Sequence, residues 1–274
     1  MAKSALIKSS LAKKYWMALT GLFLCLFLVG HLAGNLQLIF SDALGFNQYA
    51  LFMTTNPAVK ALSYVTYISI VFHAIDGILL TIQNRKARPM RYAYERPETN
   101  TIWASRNMAV LGTIILVFIV SHMVTFWGVM HFDSKMPLQT TKITVQPEMP
   151  AQDFYLTTSG SYLPVGSVDV KDRTEFYDKN AKVKIGEGYK DLYKITVDFF
   201  KQPTYGLIYT ILYVLSMVVL GFHLYHGFGS AWQSMGLKNR KYNSLIETFG
   251  RWFAIVVPFL FAIIPLYIYF FLKA

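Results

Sequence analysis

The sequence predicts an all-α membrane protein, a five-transmembrane-helix bundle with a long outer (periplasmic) insertion between the third and fourth helices. Three observations predict it. Only 15% of the 274 residues are charged, against 54% hydrophobic and 16% aromatic, where a soluble domain carries about 25% charged residues. Five stretches reach the roughly 20 mostly apolar residues that a bilayer-spanning helix needs. The basic residues gather in alternate links between those stretches. That distribution reads the net charge of +11 as membrane orientation and leaves no role for nucleic acid.

The five stretches are Trp16–Ile39, Ala58–Ile82, Trp103–Met130, Thr204–Trp232 and Phe249–Leu272. Backbone groups in lipid must be satisfied within the chain, so each is expected to be helical. The first follows Lys3, Lys8, Lys13 and Lys14, as a signal peptide would. It is longer than the roughly 7–15 apolar residues of a signal core, and reads as a retained helix. The second link carries Arg85, Lys86, Arg88, Arg91 and Arg96, and the fourth carries Lys238, Arg240 and Lys241. These and the N-terminal lysines fall on one side, which is the inside by the positive-inside rule. The first link, Phe40 to Pro57, has no Lys or Arg. The N-terminus is therefore expected inside and the C-terminus outside.

The chain divides into residues 1–130 with three helices, 131–202 as the outer segment, and 203–274 with two helices. The outer segment balances ten basic against ten acidic residues, and long segments translocate largely regardless of charge. Alternation over Lys142–Val145 and Tyr193–Val197 predicts a small part-strand subdomain. Cys25, the only cysteine, can form no internal disulfide and belongs to no Cys-based metal or redox motif.

Ionisable residues inside membrane helices are rare and point to function. His31, His73, His122, and the pair His223 and His226 lie in four apolar stretches. A single such histidine is more often a hydrogen-bonded packing residue. Four helices, each with at least one, are harder to explain that way. At about 1.5 Å per residue, His73 and His223 lie roughly 15 Å from the inner ends of their helices. His31 and His122 lie roughly 23 Å in. The result is two layers of two, each drawn from two helices. Two facing histidines can hold a b-type haem through both axial positions, so two haem b groups are expected, bound by His31 with His122 and by His73 with His223. Gly77 and Gly227, four residues beyond His73 and His223, share their faces. Gly30 and Gly34 flank His31. All four would leave room for a flat group. His131, at the outer interface, reads as solvated. His226 matches Asp76 in depth, and the two are expected to hydrogen-bond in support of the inner layer. The alternative is a protonated Asp76 bonded to nearby hydroxyls.

These residues carry a resemblance. The run from Lys13 to Leu24 (KKYWMALTGLFL), ending in Gly30-His31-Leu32, resembles the first helix of the dihaem cytochrome b subunit of succinate dehydrogenases and fumarate reductases. Phe72-His73-Ala74 with Arg85-Lys86, Ser121-His122, and Phe222-His223 with Gly236 are similar to its next three helices. The resemblance covers the five helices. It implies His31 and His122 as axial ligands of the outer haem iron, and His73 and His223 of the inner; His226 competes with His223 for the fourth position. It implies flavoprotein and iron–sulfur subunits docked on the cytoplasmic face of a bacterial inner membrane. Electrons from succinate would reach a quinone, with menaquinone expected. This chain would hold neither flavin nor dicarboxylate.

Two features depart from that family. Asp42 is the only acid in the first outer link, where some fumarate reductases use an acidic residue for quinone; Asp42, Asn47, Gln48 and Tyr49 are quinone candidates by position only. Gly221 and Phe222 stand where some members carry an intramembrane glutamate before the fourth ligand, which favours succinate oxidation. Two other readings stay open: a cytochrome b anchor for another dehydrogenase, and a haem-free proton-coupled transporter.

Overall fold

The computed structural model describes residues 10–87, 102–144 and 150–273. Among these, five helices are long and apolar enough to cross a membrane. They are α1 (Ser10–Phe40), α3 (Pro57–Lys86), α5 (Met108–Phe132), α7 (Gly206–Ser234) and α8 (Asn243–Phe270). Lys3, Lys8, Arg88, Arg91 and Arg96, used above for orientation, lie outside the described residues, as do Val145 and Pro147.

The link between α1 and α3 is more than a turn. It holds a 13-residue helix, α2 (Ala43–Thr55). Its first turn is closed by Asp42, whose carboxylate accepts from the Gly45 N–H at 2.7 Å, a standard N-cap. Asn56 then caps α3, with Pro57 in its first turn, where a missing N–H costs nothing. The third span also starts later than its hydropathy suggests. Trp103–Arg106 forms a separate short helix, α4, and α5 begins after Asn107.

Helix α7 runs against α8, and α1 touches α3, α7 and α8; α5 leans on α7 and α3 and is the least covered span. Large apolar side chains such as Leu26, Val117, Val124 and Trp252 point outward, as expected where hydrocarbon replaces water. In α8, Pro258 cannot donate to the carbonyl of Ala254, one turn earlier. Gly221 of α7 sits on that carbonyl, and a Cβ there would come within 3.1 Å of the oxygen. Gly221 is thus a close contact between α7 and α8.

Residues between α5 and α7 fold into two three-stranded antiparallel sheets. One is β1 (Thr140–Ile143), β2 (Gln152–Leu156) and β3 (Tyr162–Pro164). The other is β4 (Val168–Lys171), β5 (Glu175–Asp178) and β6 (Lys184–Glu187). Phe176, fully buried, stacks on Tyr155 at 4.8 Å and joins the sheets. Their register pairs Thr141 with Phe154 and Val170 with Phe176.

The expected strand at Tyr193–Val197 is instead part of a helix, α6 (Leu192–Lys201). Asp191 caps it, accepting from the Lys194 N–H at 2.9 Å, and Lys194 pairs with Asp198 one turn on. Tyr193, Val197 and Phe200 repeat at helical intervals, so burial on one helix face outweighs the local alternation. Those three residues join Leu32, Phe46, Val257, Ile264 and Ile268 in the core at the insertion-side end of the bundle.

Candidate functional site: two histidine pairs

The helices bring together the four histidines that the depth layers grouped. At the insertion-side layer, His31 on α1 and His122 on α5 have ring centres 5.9 Å apart, with planes at 89°. At the layer nearer the N-terminal end, His73 on α3 and His223 on α7 are 6.2 Å apart, with planes at 71°.

The surroundings of each pair differ. The Nδ1 of His73 lies 3.2 Å from the carbonyl oxygen of Met17 and 3.3 Å from the hydroxyl of Thr20, both on α1. A carbonyl only accepts, so Nδ1 carries the proton and Nε2 keeps its lone pair. The Nδ1 of His223 is buried and has no partner. Such orphans are uncommon and need an explanation. In the other layer, the Asn35 amide nitrogen donates to the carbonyl of His31 at 2.8 Å and lies 3.4 Å from its Nδ1. The Tyr213 hydroxyl lies 3.4 Å from the Nδ1 of His122. Phe27 stacks on His31, and Phe118 on His122. A π-helical turn, Met123–Gly128, follows His122 directly; such insertions recur at functional sites.

Tyr213 and α6 are features that sequence reasoning missed. Phe199 and Phe200 of α6 meet the Tyr213 ring edge-on at 5.8 and 5.0 Å, and Phe199 touches Phe126 at 5.3 Å. The insertion therefore reaches the His122 layer through an aromatic stack. The one available signal was a tyrosine inside an apolar span, and nothing in its spacing named its partner.

Other candidate residues fall elsewhere. No hydrogen bond joins His226 to Asp76, so the expected support is not formed. Asp76 remains one turn from His73 on α3. His131 is half-buried, its Nδ1–H donating to the Trp127 carbonyl at 2.8 Å. Asn47 is 1% exposed. Its amide donates to Gln139 at 3.1 Å and Asp191 at 2.9 Å, and its oxygen accepts from the Tyr193 N–H at 3.0 Å. Both its donor hydrogens are used in latching α2 to the insertion. Asp42 is engaged as a cap, Gln48 is exposed, and Tyr49 packs into the notch at Gly34, three residues beyond His31.

The insertion docks on the last turn of α5. Arg173 donates to the carbonyl of His131, and Lys190 to that of Met130 at 2.7 Å. Both satisfy carbonyls that a helix end leaves unpaired. Burial and the nearby Arg173 hold the Lys190 amine below its usual value.

Among the described residues no group of three or more His, Cys, Asp and Glu could hold a metal ion. Each pair thus offers two imidazoles and no third side-chain ligand. No family model matches the chain, and no curated protein or solved structure matches it either.

Proposed function

We propose that this chain is the membrane-anchoring, quinone-reactive cytochrome b subunit of a succinate:quinone oxidoreductase, holding two b-type haems. The observation that carries the reading is the pair of pairs. An imidazole nitrogen sits roughly 2 Å from a transition metal. With the ring centre about 1 Å behind it, opposed ligands place two ring centres about 6 Å apart. The 5.9 and 6.2 Å separations match that. With no third His, Cys, Asp or Glu at either site among the described residues, a group that brings further ligands of its own, as a haem does, would suit these pairs. The orphaned Nδ1 of His223, and the open space at Gly77, where a Cβ would have nothing within 4 Å, also fit a group between the helices, whereas the notch at Gly34 is filled by Tyr49.

His31 and His122 would hold the outer group, and His73 and His223 the inner. When bound, the haems supply one-electron transfer between the two faces of the membrane. The chain's own part is to present four imidazoles, fix the tautomer of His73 and exclude water with aromatic side chains. The first-helix motif favours a succinate dehydrogenase or fumarate reductase partner over another dehydrogenase, and Gly221-Phe222 in place of a glutamate favours succinate oxidation, with flavoprotein and iron–sulfur subunits on the cytoplasmic face of a bacterial inner membrane and the insertion outside. Menaquinone is the proposed acceptor. Of the polar residues near the outer layer, Tyr49 is the quinone candidate that Asn47, spent on its latch, is not.

The purified protein tests this. It should be red, with b-type absorption on reduction, about two haems per chain, and flavin and iron–sulfur subunits that co-purify. A colourless, haem-free preparation would sink the reading in favour of an intramembrane proton relay.

A further inference from the structure

We propose that Met17, Thr20 and Gly21 of α1 form a cradle that positions the imidazole of His73 on α3. The idea rests on the haem reading above. Three observations meet at one ring. The Met17 carbonyl and the Thr20 hydroxyl lie 3.2 and 3.3 Å from Nδ1. A Cβ on Gly21 would stand 3.1 Å from Cε1 of the same ring. The Thr20 hydroxyl donates to the Trp16 carbonyl at 2.8 Å, so its lone pairs face the imidazole as acceptors. Thr20 is itself buried, at 7% exposed, which makes an unmet acceptor there costly.

The three residues sit at i, i+3 and i+4 of one helix, so they share a face. That face supplies one weak and one strong acceptor for Nδ1–H and a notch for the ring edge. Together they fix both the tautomer and the rotation of His73, leaving Nε2 directed at the iron site. Donation from Nδ1 also makes the coordinating nitrogen more basic, which favours the oxidised metal. None of the other three histidines has a backbone carbonyl from another helix at its ring. The cradle therefore sets the inner site apart from the outer one. It gives a physical role to the Thr20-Gly21 part of the first-helix motif, on a helix whose own histidine belongs to the other layer.

Thr20→Val removes the hydroxyl and keeps the shape. In the full-length protein with its haems, redox titration should show one potential raised, the one lost in His73→Ala, while the other stays in place. Thr20→Ser should restore the original value. Gly21→Ala should keep two haems per chain and change the g-values of the same ferric low-spin signal, because the ring must rotate or shift by a few tenths of an ångström. Unchanged potentials in Thr20→Val, or Thr20→Ser behaving like Thr20→Val, would overturn the cradle while leaving two haems and the parent reading intact. Should Thr20→Val fail to assemble, unchanged g-values in Gly21→Ala overturn it instead. Wild-type protein without haem would overturn both.

Discussion

The two histidine pairs have nearly the same spacing and opposite kinds of support. His73 is tied through Nδ1 to the backbone of a neighbouring helix, and its partner His223 leaves Nδ1 buried without a partner. His31 and His122 each face a neutral side chain at 3.4 Å, Asn35 and Tyr213. They are further walled by Phe27, Phe118 and Phe126. A backbone carbonyl cannot be mutated away and holds one tautomer. Side-chain hydroxyls and amides can turn, donate or accept. In the His73–His223 layer, one ring is therefore held in a fixed orientation. The His31–His122 layer is lined by side chains, and these are coupled through Tyr213 and α6 to the insertion.

On the proposed haem reading, the largest effect that could break this comparison is loss of a ligand. His73→Ala and His122→Ala should each halve the haem content, and the spectra should show different haems missing. His226→Ala should retain both. If His226→Ala removed a haem while His223→Ala did not, the fourth ligand would be reassigned.

The next effect concerns the latch. Asn47→Ala leaves the Gln139 side-chain oxygen and the Tyr193 N–H without their partner and removes one of the two donors to the buried Asp191 carboxylate, the other being the Lys194 N–H. Leaving buried polar groups unsatisfied costs about 1–3 kcal/mol each. The insertion should become more sensitive to limited proteolysis, and the outer haem spectrum should change while the inner stays constant. A change confined to the inner haem would break the link between insertion and outer layer.

Tyr213→Phe should give a smaller effect. It removes a single long hydrogen-bond contact to His122 and keeps the stack with Phe199 and Phe200. A shift in the outer potential is expected, with no change in haem content or in the inner potential. Equal shifts in both would mean that the two layers are not independently supported.

The smallest effect lies in the sheets. The Asp178 carboxyl is held below its usual value by the backbone N–H groups of Ala181 and Asn180. A depressed carboxylate contributes stability that is present above its unfolded value and lost as pH falls through the folded one. The turn between β5 and β6 should therefore loosen only below the ordinary aspartate value of 3.8. Protection of the Asn180 and Ala181 amides, corrected for the intrinsic pH dependence of exchange, should hold at pH 5 and fall only as the pH drops below 3.8.

Some features were legible because they depend only on composition and spacing along one helix. Apolar runs of sufficient length have few folded alternatives in lipid, so the five spans follow from hydropathy. Others were hidden. Helix α2 reads as a link because it is short and only weakly sided, and its cap Asp42 looks like a free acid. Helix α6 reads as a strand because Tyr193, Ile195 and Val197 alternate locally. The roles expected for Asn47, and for Asp76 with His226, rested on position or depth. Position along the chain carries no information about which way a side chain turns.

The residues alone therefore determined that five membrane-length helices lie among the described residues and that His31, His73, His122 and His223 sort by depth into two layers. Rise per residue is a property of the helix itself. Only the tertiary structure decided that the members of each layer face one another at about 6 Å. It also decided that His73 is gripped by α1 and that helix α6 of the insertion touches the other layer through Tyr213. Those facts depend on how the helices rotate about their axes and which neighbours they choose, and packing between distant segments sets both.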